Sequence, residues 1–196
     1  LHRIIIPGPP GTGKTHRLMH YLEAELKMTA PDKIAYIAFS NAAANEAKRR
    51  IQNDDIYVST MHSMGTQECN INTKTQLLKG DKWKSFKNYS RICADLSFES
   101  RININGYVEH TNPHMRIIEP ARNKKISLEE AALELDLQYT TDLWLTEQIA
   151  EDLKTYKEST GMIEYSDMIS KFVEEDACPP LHAVFLDEAQ DLSPLQ

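Results

Sequence analysis

Gly8-Pro9-Pro10-Gly11-Thr12-Gly13-Lys14-Thr15 follows the spacing G-x-x-x-x-G-K-[ST], after the apolar run Ile4-Ile5-Ile6 and ahead of a helical pattern. Such a loop can hold phosphates. Glycines let backbone N–H groups converge on the oxygens without side-chain interference, and the helix that follows aims its positive end at the same charge. Lys14 is then placed to bridge the β- and γ-phosphates, and the Thr15 hydroxyl to ligate Mg²⁺. The bland alternative is a glycine-rich turn that binds nothing. Near the other end, Ala183-Val184-Phe185-Leu186 runs into Asp187-Glu188-Ala189-Gln190-Asp191. A carboxylate at a strand end, Asp187, can hold Mg²⁺, usually through water, and Glu188 can orient or deprotonate an attacking water. Here the alternative is an acidic helix start. Together the two segments point to hydrolysis of a nucleoside triphosphate.

The elements that must position these residues are legible around them. Short apolar runs at Arg3–Ile6, Ile34–Phe39, Ile56–Ser59 and Ala183–Leu186 alternate with helical patterns at Lys14–Leu26 and Ala42–Ile51. This is the signature of buried parallel strands in an α/β fold. Ligands gather at the carboxyl ends of such strands, so the phosphate loop, Ser40-Asn41, Thr60-Met61-His62 and Asp187-Glu188 are expected on one rim. From about Gly65 to Thr160 strand signals are few. Ser127-Leu128-Glu129-Glu130 is a capping-box pattern opening Ala131–Leu137, and Leu145, Ile149, Leu153 and Tyr156 recur at helical spacing before a stop at Gly161. Asn103 to Arg122, with Gly106, Pro113 and Pro120, reads as loop. The expected organisation is a sheet domain over 1–65 and 161–196 with a mostly helical insertion over 66–160.

At 196 residues the chain can bury one sizeable core, or one core with an inserted subdomain. No apolar run approaches the ~20 residues needed to span a bilayer. Cys69, Cys93 and Cys178 are scattered and form no CxxC, which disfavours zinc, iron–sulfur clusters and a disulfide framework and fits a reducing, cytoplasmic setting. The net charge of -7 is unevenly spread: residues 74–125 carry +6, residues 126–196 carry -14 and residues 1–73 carry +1. The basic middle segment is compatible with a phosphate-binding face, or equally with a lysine-rich solvated surface.

Four motifs sharpen the reading. Phe39-Ser40-Asn41-Ala42-Ala43-Ala44-Asn45-Glu46-Ala47-Lys48-Arg49-Arg50-Ile51 resembles F-T-N-x-A-A-x-E-M-x-x-R, Ser59-Thr60-Met61-His62-Ser63 resembles S-T-F-H-S, Tyr165-Ser166-Asp167-Met168-Ile169 resembles D-F-D-D-L, and Asp187-Glu188-Ala189-Gln190-Asp191 matches D-E-x-Q-D. In this order, beside the phosphate loop, they resemble the UvrD/Rep/PcrA-type DNA helicases of superfamily one, over about 1–65 and 161–196. The resemblance implies a RecA-like domain, with the insertion at the position of the family's 1B subdomain. It implies an ATP-driven translocase on single-stranded DNA or a duplex/single-strand junction, moving 3′ to 5′. Residues 8–15 would bind ATP with Mg²⁺ at Thr15 and Asp187, and Gln190 would sense the γ-phosphate. Phe39 would stack on bases while Ser40, Asn41, Thr60, His62 and Ser63 follow the sugar–phosphate track. Phe39 as a core strand residue and His62 as a satisfied buried histidine stay open as alternatives. Met61, Ser40 and Ala42 depart from the family's phenylalanine, threonine and lysine. The motifs of the family's second RecA-like domain, with its arginine finger, and its adenine-reading glutamine motif do not occur in these residues. The chain is therefore expected to be the front half of a motor, hydrolysing ATP negligibly by itself.

A helicase–nuclease subunit of the AddA or RecB kind shares the same motifs, and a nucleotide-switched interaction module is a rival of another class; a phosphate-loop kinase fits least. His16 and His20 sit four apart but lack the glutamate of HExxH, so an exposed helix face is the simpler reading. His110 and His114 receive no role. Trp83, Phe86 and Tyr89, interleaved with Lys82, Lys84, Lys87 and Arg91, can brush DNA or form the buried stripe of a helix; the stripe is preferred.

Overall fold

The computed structural model describes residues 3–9, 11–93, 95–98, 100–102 and 108–196. The three-stranded sheet centres on β1 (Ile34–Ala38), five consecutive buried residues. A strand buried on both faces has no polar alternation to show, which is why Ile-Ala-Tyr-Ile-Ala reads as an unbroken run. β1 pairs in parallel with β2 (Tyr57–Thr60) on one side and β5 (Ala183–Leu186) on the other, in the order β2-β1-β5. The register sets Ala38 opposite Thr60 and Ile37 opposite Leu186, so all three strands end at one rim. The fourth expected strand is corrected. Arg3–Ile6 joins no ladder among the described residues, and Ile4 and Ile5 are 54% and 76% exposed. A short apolar run becomes a strand only where a sheet edge takes up its backbone groups, and periodicity alone does not report that.

Helices cover both faces of the sheet. α1 (Lys14–Glu25) and α2 (Asn41–Ile51) enclose Leu22, Ile34, Tyr36, Ala38, Ala44, Ala47, Ile56 and Val58. On the other face Ala35, Ile37 and Met64 pack with Met61, Phe172 and Leu181, Met61 and Met64 belonging to α3 (Met61–Glu68). The result is a RecA-like α/β layer arrangement. It forms one compact unit, residues 1–69 with 172–192.

Residues 70–171 with 193–196 form a second unit. The first unit's edge falls after Cys69 because α3 runs unbroken through the 65/66 edge read from the sequence. The second unit holds α4 (Lys82–Tyr89), an antiparallel pair β3 (Ser100–Ile102) and β4 (Val108–His110), α5 (Pro113–Lys124), α6 (Leu128–Glu134) and α7 (Leu143–Thr160); α8 (Tyr165–Glu174) begins in it. In α6 the expected capping box is complete: Ser127 Oγ accepts from Glu130 N and a Glu130 carboxylate oxygen accepts from Ser127 N. α7 ends at Gly161 in the left-handed conformation. Trp83 stacks on Phe98 with ring centroids 5.0 Å apart, and both meet Phe86 edge-on. The buried-stripe reading thus holds for Trp83 and Phe86, whereas Tyr89 is 47% exposed.

The loop expected over Asn103 to Arg122 is corrected where it is described: from Pro113 it is helix α5, residues 103–107 lying outside the described set. Pro113 occupies the first turn, where its missing N–H costs nothing, and Asn112 Oδ1 accepts from His114 N and Met115 N. Buried Met115, Ile117, Ile118 and Ala121 anchor the helix strongly enough to carry Pro120 inside it.

Candidate functional site

α1 starts at Gly13 without a side-chain cap and with no acidic residue in its first turn, so its free N–H groups face no carboxylate of their own helix. Gly11 and Gly13 hold φ of +80° and +78°, a region costly for any side chain, and a Cβ on Gly8 would stand 2.6 Å from Thr12 Oγ1. The loop is therefore closed on itself: Thr12 Oγ1 donates to Pro9 O at 2.8 Å and Lys14 Nζ to the same oxygen at 3.2 Å. Gly8, Pro9, Gly11, Thr12 and Gly13 are exposed and Lys14 and Thr15 half-buried. Pro10 lies outside the described residues. A cluster of backbone donors with a lysine and a hydroxyl at its edge fits a polyanionic oxygen ligand.

Asp187 closes this end of the sheet. Its N–H donates to Ile37 O at 2.9 Å, continuing the β1–β5 ladder one step past the strand. Thr15 Oγ1 lies 3.3 Å from both Asp187 carboxylate oxygens. Tyr36, buried in the middle of β1, donates its phenol O–H to Asp187 Oδ2 at 2.8 Å, and Glu188 N donates to Oδ1 at 3.1 Å. Burial first, then the Asp187 carboxylate, push the Tyr36 phenol far above its usual range, so it stays a donor at every physiological pH. Glu188 is held at φ +53° ahead of a 3₁₀ turn over Ala189–Asp191. A non-glycine residue in that region is uncommon and such strain clusters at functional sites. Gln190 Nε2 donates to Glu188 Oε2 at 2.5 Å.

A hydroxyl and a carboxylate are hard oxygen donors of the kind Mg²⁺ takes, and two protein ligands suit an ion that keeps its waters or shares phosphate oxygens. The site therefore fits Mg²⁺ delivered with a nucleotide. Among the described residues no three His, Cys, Asp or Glu side chains gather as a protein-only metal cage.

The β1 and β2 ends carry the residues read as strand-contacting. Phe39 is half-buried just past β1, outside the strand. Ser40 caps α2, its Oγ accepting from Ala43 N at 3.2 Å, and Asn41 opens the helix exposed. Thr60 caps α3 but is only 7% exposed; its Oγ1 accepts from Ser63 N and donates to Ser63 Oγ at 3.0 Å. Its hydroxyl is committed to the cap, so any contact from this motif falls to exposed Ser63 and half-buried His62. Burial holds the His62 imidazole below its usual range. Asn41, Thr60 and Ser63 line a cleft of about 550 Å³ that also holds Asp32, Asp54, Asp55 and Lys48. Three aspartates to one lysine disfavour phosphates at the far end of that cleft.

Lys82 and Arg122 of the basic middle segment, and Lys157 beyond it, are spent inside the second unit. Lys82 Nζ donates to the carbonyls of Lys74, Thr75 and Leu77 at 3.0, 2.7 and 3.1 Å. Arg122 and Lys157 pair with Glu164 at 2.6 and 3.0 Å, and Lys157 with Asp167 at 2.7 Å. Asp167, from the segment resembling D-F-D-D-L, also accepts from Glu164 N at 2.7 Å. That motif residue organises an ion-pair network within its own unit. Sequence reasoning missed Tyr36, whose only local signal is a polar atom in an otherwise apolar run.

The profile of the UvrD/REP helicase N-terminal domain family matches residues 2–196. The chain is also similar to a protein described as ATP-dependent DNA helicase PcrA from Bacillus subtilis (strain 168), 43% identical over 70 residues, which is 31% of this chain and 9% of that protein.

Proposed function

The chain belongs to the UvrD/REP helicase N-terminal domain family, and from that premise we propose that it is the ATP- and single-stranded-DNA-binding half of an ATP-dependent DNA helicase that translocates 3′ to 5′. The observation that carries the reading is the approach of Thr15 to Asp187 beside the glycine loop, a hydroxyl and a carboxylate 3.3 Å apart next to the backbone donors of that loop. In this reading the loop N–H groups and Lys14 hold the β- and γ-phosphates of ATP. Thr15 and Asp187 hold Mg²⁺, whose role when bound is to neutralise charge on the phosphoryl oxygens. Glu188 orients the attacking water, and Gln190, bonded to Glu188, couples that carboxylate to the γ-phosphate position. In this reading residues 1–69 with 172–192 are the ATP-binding domain, and the second unit, residues 70–171 with 193–196, takes the place of the 1B-like insertion.

Because β1 lies between β2 and β5, Phe39 and Asn41 share one strand end with the Asp187 ladder bond. A base stacked on Phe39 and a backbone held at Ser40, Asn41, His62 and Ser63 would feel a change at the nucleotide through a single strand. The proposed partners are single-stranded DNA, or its junction with duplex, and the second RecA-like domain that supplies an arginine finger in this family. The Cys69 and Cys93 thiols are buried and that of Cys178 is exposed, in keeping with a reducing, cytoplasmic setting. No described helix is long and apolar enough to cross a membrane.

The test is ATPase activity and single-strand binding of the complete polypeptide that carries this chain. DNA should stimulate turnover, Lys14→Ala should abolish it, and Phe39→Ala with Asn41→Ala should weaken single-strand affinity while leaving nucleotide binding intact. Unchanged strand affinity in the double variant would overturn the DNA-track assignment in favour of a nucleotide-switched protein-binding module.

A further inference from the structure

We propose that Tyr36 is a positioning residue for Asp187, its phenol holding the carboxylate in the orientation that, with Thr15, receives the divalent cation of a bound nucleotide. The inference rests on the reading of Thr15 and Asp187 as the metal-binding pair and extends it to a residue in the strand core. Every other residue of β1 is aliphatic: Ile34, Ala35, Ile37 and Ala38. At 1% exposure, Tyr36 sits where an apolar side chain would fill the space with no polar group to satisfy. A phenol there must find a partner, and the one it has is Asp187 Oδ2 at 2.8 Å.

The geometry around Asp187 gives that bond a purpose. The Asp187 backbone is fixed by its N–H to Ile37 O, the residue next to Tyr36. Its two carboxylate oxygens are then divided: Oδ1 accepts from Glu188 N at 3.1 Å and Oδ2 from Tyr36. With a donor on each oxygen the carboxyl plane is set, and Thr15 Oγ1 stands equidistant from both oxygens at 3.3 Å. A carboxylate free to rotate would lose orientational entropy each time it took the cation; one already held by a buried, rigid phenol loses little. Tyr36 packs among Ile34, Ala38, Leu22 and Val58, so the donor itself is fixed by the core rather than by a mobile loop.

The test uses the complete polypeptide, with Mn²⁺ as a paramagnetic stand-in for Mg²⁺ and a non-hydrolysable ATP analogue. Tyr36→Phe keeps the ring and removes only the hydroxyl; a thermal melt checks that the core is intact. Mn²⁺ affinity in the presence of the analogue should fall about tenfold, the scale of losses when an outer-shell hydrogen bond to a metal ligand is removed. Analogue binding without metal should not change. In an Asp187→Asn background, adding Tyr36→Phe should have no further effect on Mn²⁺, since its route to the metal is gone. Unaltered Mn²⁺ affinity in Tyr36→Phe, or an equal loss in the Asp187→Asn background, overturns the proposal. Thr15→Ala and Asp187→Ala separate the two levels of the argument. If both lower Mn²⁺ affinity and Tyr36→Phe does not, Tyr36 is only a core residue. If neither lowers it, the metal-site reading falls and the Tyr36 proposal with it.

Discussion

Thr15 and Asp187 stand 172 residues apart in sequence, yet the threonine hydroxyl lies 3.3 Å from each oxygen of the carboxylate. Parallel pairing of β5 with β1 brings Asp187 to the rim where α1 begins. Because only the Oγ1 atom of Thr15 takes part, Thr15→Ser should keep the Mg²⁺ response of nucleotide binding and Thr15→Ala should not. The Mg²⁺ concentration for half-maximal binding of a fluorescent ATP analogue should rise by about tenfold or more in the alanine variant. Equal Mg²⁺ titrations for the two variants would remove the hydroxyl from the site.

The loop carries a coupling that can be tested with two substitutions. A Cβ at position 8 would meet Thr12 Oγ1 at 2.6 Å, and that hydroxyl now donates to Pro9 O. Gly8→Ala must therefore push Thr12 aside and open the loop. An affinity loss of about tenfold for nucleotide, worth about 1.4 kcal/mol, is expected by calorimetry. Gly8→Ala combined with Thr12→Ala removes the clash, so the pair should bind better than the sum of the two single losses implies. Strict additivity would mean that the contact does not govern loop shape.

Local signals were legible in the sequence and long-range partners were not. The capping box at Ser127–Glu130 and the Gly161 stop are each written within a few residues, and both appear as read. β2 and β5 are short apolar or β-branched runs that are only partly buried, whereas β1 was recognisable because a strand buried on both faces is a continuous apolar run. The same rule misled at Arg3–Ile6, where the run has no ladder. α5 was hidden by Pro113 and Pro120, since a proline at the first turn and one deep in a helix look identical without the Asn112 cap and the buried isoleucines. Tyr36 could not be assigned because its partner lies 151 residues away. Thr60 carries a motif position, but its role in capping α3 depends on where β2 ends.

The ion-pair network of the second unit sets its acid stability. Burial alone would raise the Glu164 carboxyl, but Arg122 and Lys157 outweigh it and hold it below the usual carboxylate range. A carboxylate with a lowered folded pKa contributes stability that is fully present above its unfolded value, about 4.3, and is lost as pH falls through the folded one. Glu164→Gln should therefore destabilise the protein at pH 7, by about 3 kcal/mol, because two cations lose a buried partner. The variant should also lose part of the steep decline below about pH 4. Denaturant titrations of both proteins from pH 7 to pH 3 would check this; parallel curves would show that Glu164 titrates no differently once folded.

His114 predicts a second pH dependence, with a window nearer neutrality. The Thr146 hydroxyl donates to Asp142 O at 2.7 Å, so its oxygen is left to accept, and His114 Nδ1 at 2.8 Å must carry the proton. His114 is 6% exposed, and burial, only partly opposed by Asp142, holds its imidazole below the usual range. The folded protein thus keeps a neutral ring while the unfolded chain takes up a proton below about pH 6.5. The linkage sign follows: stability is full above that value and declines as pH drops toward the folded pKa, by at most about 1.4 kcal/mol per pH unit for one proton. His114→Gln, which can still donate to Thr146, should be less dependent on pH between 7 and 5 than the unsubstituted protein. The measurement is the urea midpoint of both proteins across that range. His62 shifts in the same direction and is present in both, so the difference between the two curves isolates His114. Coincident slopes would mean that the ring can be protonated in place, with solvent reaching Nε2 despite the packing of α5 and α7.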